Sequence, residues 1–419
     1  MSIRETVLSV VKQAIESVLP ERAVREALTA APIEAGGGKG EVVLIAVGKA
    51  AWRMANAAHE LLGPRVSRGC VITKEGHSMG PIGNLEIFEA AHPLLEQRNL
   101  EATGRALSMI RGLTENDVVL FLVSGGGSAL FELPLEGVTL GDIAEMTSQL
   151  LACGADIVEI NTLRKRVSAV KGGRFAQACL PARVRAVVLS DVLGDRLDSI
   201  ASGPACPDSS TGSDALSIVR KYGLNLPRSI LEKLSAETPK KLDNVVTQIT
   251  GSVPVLCESA RGLLAEKGCA VTLLTTTLDC EAAAAGAFFA SLAREAVRTR
   301  QSRKSPAAFV AGGETVVKLR GKGKGGRCQE MALAASLGIQ NLEGVVFAAA
   351  GSDGTDGPTD AAGGAVDGKT AERIRQRGLD PAAMLSDNDA YNALEAAGDL
   401  LITGPTGTNV NDLIVLAVE

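Results

Sequence analysis

Histidine is scarce in this chain: three residues in 419, at positions 59, 77 and 92. They are too few and too far apart to furnish a histidine-based triad or metal site, and surface or capping roles are expected of them. The eight cysteines, at 70, 153, 179, 206, 257, 269, 280 and 328, include no CxxC and no Cys/His spacing. A zinc site and a stapled secreted fold are thereby excluded, and free thiols in a reducing cytoplasm are expected. Basic residues are not in surplus either, with 43 Lys and Arg against 48 Asp and Glu and a net charge of −5. A nucleic-acid partner requires such a surplus to neutralise its phosphates, so none is expected, and any cationic site must be local. The opening MSIRETVLSVVKQAIESVL sets Arg4, Glu5, Lys12 and Glu16 on an amphipathic helical period, which is neither a signal peptide nor a membrane span. No fixed-period repeat is present, which removes solenoids.

What the chain does have is the composition of a globular protein, 46% hydrophobic and 22% charged, at a length that favours two domains. Val42 to Val47 is a short continuous apolar run, broken by Gly48 and followed by a helical pattern from Ala50 to Leu62. The same order returns at Val118 to Val123, with the turn Ser124 to Ser128, and at Val184 to Leu189, which ends on Ser190 and Asp191. Strands that alternate with helices and end in glycine-rich or polar loops predict an α/β fold, a doubly wound, Rossmann-like parallel sheet. Ligands of such sheets bind at the carboxyl ends of the strands. Residues 204 to 243, rich in proline, read as a connector carrying two helices. After it, VPVLCESARGLLAEKGCAVTLLTT reads as strand, helix and strand, and AAFVAGGETVVKLRG as two short strands around Gly312 and Gly313. The predicted division is 1–242, a Rossmann-like domain, and 243–419, a smaller α/β domain.

Several glycine clusters bear on chemistry. GKGKGG at 321–326 satisfies GxGxxG literally, but Lys322, Lys324 and Arg327 crowd the same turn. That charge suits a triphosphate end or a transferring phosphoryl group better than the pyrophosphate of a dinucleotide. VSGGGSALF closes a buried strand, where backbone N–H groups form an anion site. It lacks the second glycine of GxSxG, and Lys39 in GGGKG is followed by glycine, so neither a hydrolase elbow nor a Walker A loop is present. Aspartates at 191, 195 and 198, and at 353, 356 and 360, follow predicted strands. Such positions suit Mg²⁺ ligation or the orientation of a hydroxyl nucleophile, and equally turn formation or helix capping, which is expected of at least half of them. Lys49 directly follows the first strand, and Arg164, Lys165, Arg166, Lys171 and Arg174 cluster further on, some of them on a solvated face.

Taken together, AVGKAAWRMA, LVSGGGSALFELP, RKRVSAVKGGRFA, LSDVLGDRLDSIASGP, GGETVVKLRGKGKGGRCQE, GSDGTDGPTDAAG and TGPTGTNVNDL occur in order along nearly the whole chain. In these blocks it resembles the class II glycerate kinases, the glycerate 2-kinase family with a C-terminal MOFRL domain. The resemblance implies ATP-dependent phosphorylation of D-glycerate at its 2-hydroxyl with a divalent metal, and a site in an interdomain cleft. It further implies catalytic roles for Lys49 and Arg327 as cations for carboxylate and transferring phosphoryl. Asp191 is expected to orient or deprotonate the hydroxyl. Ser124, Gly125, Gly126, Gly127, Ser128 and Lys171, with Gly323, Gly325 and Gly326, are expected to bind ATP, and Lys322 and Lys324 to act as mobile helpers. Glu314, Asp353 and Asp356 are candidate Mg²⁺ ligands. Relatives often carry Asn where this chain has Cys328. Two other readings remain open: an NAD(P)H-dependent hydroxypyruvate reductase, through the literal GxGxxG, and a sugar-phosphate-sensing module, against which the acidic neighbours of the glycine loops speak. No membrane partner is expected, and the oligomeric state, monomer or homodimer, is left open.

Overall fold

The computed structural model describes residues 2–36, 40–302 and 305–419; Lys39 of GGGKG and residues 303 and 304 of the polar stretch RTRQSRKSP lie outside them. Its first sheet is built from β1 (Val42–Val47), β2 (Val66–Lys74), β3 (Leu85–Ala90), β4 (Val118–Val123), β5 (Arg183–Leu189) and β6 (Val245–Gly251). The strand order is β3-β2-β1-β4-β5-β6, and the pairings from β3 through β5 are all parallel. VVLIAV and VVLFLV, the β1 and β4 sequences, are buried at every position. An unbroken run of this kind is what a strand covered by helices on both faces requires. From the adjacent pair β1 and β4 the sheet grows outward in opposite directions. The crevice beyond their carboxyl ends is therefore the topological switch point, where doubly wound sheets bind ligands.

Three buried rings secure that end of the sheet. Phe175 stands 4.5 Å from Phe121 of β4 and 5.3 Å from Phe131, centroid to centroid. The glycine turn at 125–127 joins Phe121 to Phe131 and is thus anchored on both sides.

The second sheet contains β7 (Ala270–Leu278), β8 (Ala307–Gly313), β9 (Val345–Gly351), β10 (Gly363–Asp367), β11 (Leu400–Leu401) and β12 (Asp412–Val418), in the order β11-β10-β9-β12-β8-β7. Only β7 and β8 pair in parallel; the other pairings are antiparallel. β9 and β12 are buried throughout.

The chain divides into two compact units, Pro20–Thr250 and the segment up to Leu19 together with Gly251–Glu419, which differs from the expected 1–242 and 243–419. Two physical reasons account for the shift. β6 is the sixth strand of the first sheet, so the boundary follows it. The helix Ile3–Ser17 packs Val7, Val10, Val11 and Ala14 within the second unit, where Arg4 pairs with Asp399 at 2.7 Å and with Asp367 at 3.3 Å. VPVL is not a strand but the first turn of the helix Val253–Glu266, a place that tolerates its proline. Beyond Gly313 the second expected short strand is replaced by irregular backbone with a single bridge at Val316. The two helices expected in 204–243 are present, Gly212–Tyr222 and Arg228–Ser235, but with Leu140–Ala152 and Ile157–Val167 they form their own apolar cluster rather than a mere connector. Among the described residues no helix is long and apolar enough to cross a membrane.

Candidate active site

The loops leaving β1 and β4 are stitched together by backbone bonds. Ser124 N–H donates to the Val47 carbonyl at 3.0 Å, Lys49 N–H to the Gly125 carbonyl at 2.9 Å, and Ala50 N–H to Ser124 Oγ at 3.0 Å. Asp191, two residues beyond β5, brings its carboxylate directly against Gly125, where a Cβ would collide with it. Gly126 adopts a left-handed φ of 84°, and a Cβ there would lie 3.1 Å from the His92 ring and 3.2 Å from Lys49 Cγ. These glycines are required by close approach and by φ, and they leave the N–H groups of Gly125 and Gly126 with no acceptor among the described residues. Lys49, Asp191 and the 125–127 turn therefore meet at one crevice, as the strand-end rule anticipates.

Two histidines belong to the same edge: His77 keeps the exposed surface position expected of it, whereas His92 is half-buried. His77, after β2, has Nδ1 3.0 Å from the Lys49 carbonyl oxygen, and His92 follows β3. Burial, reinforced by the Lys49 and Lys74 cations and by His77, holds the His92 imidazole below the usual histidine value. The buried apolar run of β2 is a signal that could have placed His77; β3, only partly buried, offers none as clear for His92.

Three expected ATP ligands have internal partners instead. Ser124 ties the two loops, as above, and Ser128 Oγ lies 3.0 Å from Ser202 Oγ. Lys171 is 0% exposed, donates to the carbonyls of Ser128 and Phe131 at 2.8 and 3.1 Å, and lies 3.3 Å from the Glu132 carboxylate. Burial lowers its ammonium to about 8. It clamps the short helix Gly127–Leu130 from within and does not face a ligand. Its basic neighbours are not a solvated face either. Arg166 is fully buried on Ser210 and Thr162, Lys165 pairs with Asp208 at 3.3 Å, and Arg174 donates to the Ser168 carbonyl at 2.7 Å.

In the second unit, Arg327 opens the helix Arg327–Gly338. Its Nε and Nη2 form a fork on Asp412, at 2.6 and 3.0 Å, and Nη1 donates to Glu314 at 2.9 Å. Asp412 begins β12 and faces Gly313, the last residue of β8, so the two paired strands present both carboxylates to one guanidinium. Burial pushes the Asp412 carboxyl up to about 6, with Arg327 opposing the rise. The backbone of the glycine loop is tied down although the Lys322 and Lys324 side chains are exposed. The N–H groups of Arg320 and Gly321 donate to Asn388 Oδ1, Lys322 and Lys324 to Asp387 and Asp389, and Gly323 to the Asp387 carbonyl. Side chains at Gly323 or Gly326 would collide with Asp389 or Asp356, and Lys324 Nζ sits 3.9 Å over the Tyr391 ring. This is not the strand–turn–helix of a dinucleotide fingerprint. What remains open are the N–H groups of Gly325, Gly326 and Arg327, which have no acceptor among the described residues. They adjoin a cavity of about 580 Å³ lined by Thr315, Val316, Leu319, Arg327 and Asp353. The buried hydroxyl of Thr315 has no partner among the described residues.

The candidate metal ligands are not assembled into a cage: no group of three metal-ligating side chains stands among the described residues. Asp356 receives Cys328 N–H on one oxygen and Gln329 N–H on the other, capping the helix that Arg327 opens, and burial pushes it up to about 7. Among the described residues the Asp353 carboxylate accepts Thr355 N–H, a turn-forming bond, and Asp360 accepts from Tyr391. Mg²⁺ carried on phosphates needs only one or two carboxylates. Asp353 and Glu314 fit that mode; Asp356, spent as a cap, does not.

Residues 6–235 match the family described as Domain of unknown function (DUF4147), and residues 307–412 match the MOFRL family. A D-glycerate 2-kinase from Thermotoga maritima is 54% identical over 99% of this chain and 98% of its own length. This chain belongs to the glycerate 2-kinase family. A crystal structure of the Thermotoga maritima glycerate kinase, 53% identical, matches it with a TM-score of 0.96 over 100% of this chain and 99% of that one. A protein of Agrobacterium vitis named putative hydroxypyruvate reductase is also similar, 36% identical over 100% of this chain and 95% of its own. The crevice beyond β1 and β4 and the turn beside Arg327 each present backbone N–H groups that have no acceptor among the described residues.

Two outcomes follow from the packing. Lys171→Met leaves the buried Glu132 carboxylate with Arg164 alone, at 3.7 Å, and costs up to about 3 kcal/mol in the unfolding transition of its unit. Adding Glu132→Gln recovers part of that loss, as denaturant titration of both variants measures. Gly125→Ala displaces Asp191 and lowers turnover by about 10²-fold with little change in melting temperature, because a displacement near 1 Å is enough for such a loss.

Proposed function

We propose that this chain transfers the terminal phosphoryl group of ATP to the 2-hydroxyl of D-glycerate, giving 2-phospho-D-glycerate and ADP. The observation that carries the reading is the full-length similarity to a D-glycerate 2-kinase, combined with a switch-point crevice that holds a carboxylate and a lysine against open backbone amides. Phosphoryl transfer asks a protein mainly for positioning and for charge stabilisation. Asp191 accepts the proton of the hydroxyl, whose oxygen then attacks the terminal phosphorus as the bond to ADP breaks. Lys49 and the amides of Gly125 and Gly126 hold anionic oxygens in that crevice. Arg327 retains one hydrogen on each Nη beyond its bonds to Asp412 and Glu314 and, with the amides of Gly325 and Gly326 and the Thr315 hydroxyl, supplies donors to phosphoryl oxygens. Mg²⁺, when bound, neutralises charge on the transferring phosphates, with Asp353 and Glu314 as the side chains that would hold it.

The name of the Agrobacterium vitis relative favours a reductase as the second reading. One assay separates the two. Purified protein releases ADP only when D-glycerate and Mg²⁺ are both present, and the new phosphate sits on the 2-oxygen by phosphorus NMR. Hydroxypyruvate-dependent loss of NADH without ATP would instead establish the reductase.

Two variants test the roles. Asp191→Asn keeps the shape and removes the base, so turnover falls roughly 10² to 10⁴-fold with ATP affinity unchanged. Near-normal turnover would make Asp191 a turn former. Arg327→Lys cannot hold Asp412 as a fork and still offer phosphoryl donors, and it loses roughly 10² to 10³ in turnover. Lys322→Ala and Lys324→Ala lose clearly less, and equal losses in kcat across the three variants would show a diffuse cationic patch.

A further inference from the structure

The edge of the first sheet holds more than the reaction as described uses. Lys49 and His92 both lie against Gly126, while the Asp191 carboxylate lies against the preceding residue, Gly125. Consecutive Cα atoms are about 3.8 Å apart. Groups that lie against neighbouring residues of one tight turn can take the carboxylate and the hydroxyl of a single small acid. The Gly126 N–H is open on the same turn. An imidazole there is flanked by cations, Lys49 beyond β1 and Lys74 at the end of β2, with His77 in the loop after β2. Lys49, whose Cγ shares the Gly126 contact with the ring, and Lys74 make this half-buried corner cationic, an environment for an anion, and the ring adds a directional donor that a lysine lacks.

We propose that His92 is a further substrate-binding residue: together with the Lys49 ammonium and the Gly126 amide, its ring N–H takes the carboxylate of a 2-hydroxy acid and so directs the hydroxyl on the neighbouring carbon, rather than the terminal one, to Asp191. This rests on the kinase reading for its substrate. The imidazole, held low chiefly by burial with the neighbouring cations adding to it, fits the role, because a bound anion offsets those effects.

The test pairs the residue with the group it is assigned to. Binding of D-glycerate and of its uncharged amide is measured by calorimetry on wild type, His92→Ala and His92→Gln, with ADP release and melting temperature alongside. Loss of a hydrogen bond to a charged group predicts a roughly 10- to 100-fold weaker D-glycerate complex in His92→Ala. The wild-type preference for glycerate over the amide shrinks by the same factor, and His92→Gln, which keeps a neutral donor, recovers much of it. The KM for ATP stays near the wild-type value. An unchanged preference for the acid over the amide overturns the assignment, as does a parallel weakening of ATP with a lowered melting temperature, which marks a packing role. If wild type binds glycerate in this pattern yet releases no ADP, the kinase reading fails while the carboxylate subsite stands. If wild type does not bind glycerate, the subsite falls.

Discussion

The short backbone stitch between the ends of β1 and β4 is the constraint on which the crevice beyond them depends. Three hydrogen bonds, from Ser124, Lys49 and Ala50, hold the two loops together; a Cβ at Gly125 would meet the Asp191 carboxylate, and Gly126 takes a left-handed φ. The lack of Cβ atoms there lets Asp191 enter from β5 on one residue and His92 and Lys49 from β3 and β1 on the next. Buried Lys171 and the Phe121, Phe131 and Phe175 rings then fix the far side of the turn, so the crevice is held from beneath by groups that never face a ligand. Positioning of this sort, with the polar groups oriented before substrate arrives, is the main contribution a protein can make to phosphoryl transfer.

The second unit solves a related problem differently. Its lysine-bearing glycine loop is immobilised on Asp387, Asn388 and Asp389, and those acceptors consume most of its amides. The three amides left open stand where the loop becomes a helix, beside a guanidinium held by two carboxylates. Asp412 and Glu314 reduce the net charge of that corner while fixing the plane of the guanidinium. A fork so held is oriented for an incoming phosphoryl group at little further entropic cost.

How much of this was legible in the sequence depended on range. The β1 and β4 runs and their glycine exits were readable because burial on both faces writes an unbroken apolar stretch, and Lys49 past β1 and Asp191 past β5 could be located from the strand ends. The start of the helix at Val253 was misread, since four apolar residues around a proline fit a strand or a first helical turn equally well. Lys171 looked like a ligand because its partner Glu132 is remote in sequence, and no local pattern reports that a lysine is neutralised underground. The same holds for Arg327 and Asp412, 85 positions apart. His92 was passed over because scarcity argued against a histidine triad, whereas a single imidazole at a strand end needs no second one.

A crystal structure of the protein with D-glycerate bound tests the central claim most directly. The account predicts the substrate in the crevice beyond β1 and β4, its 2-hydroxyl within hydrogen-bond distance of Asp191 and its carboxylate on Lys49, His92 and the Gly126 N–H. Glycerate bound instead beside Arg327, with its 2-hydroxyl out of reach of Asp191, would contradict it.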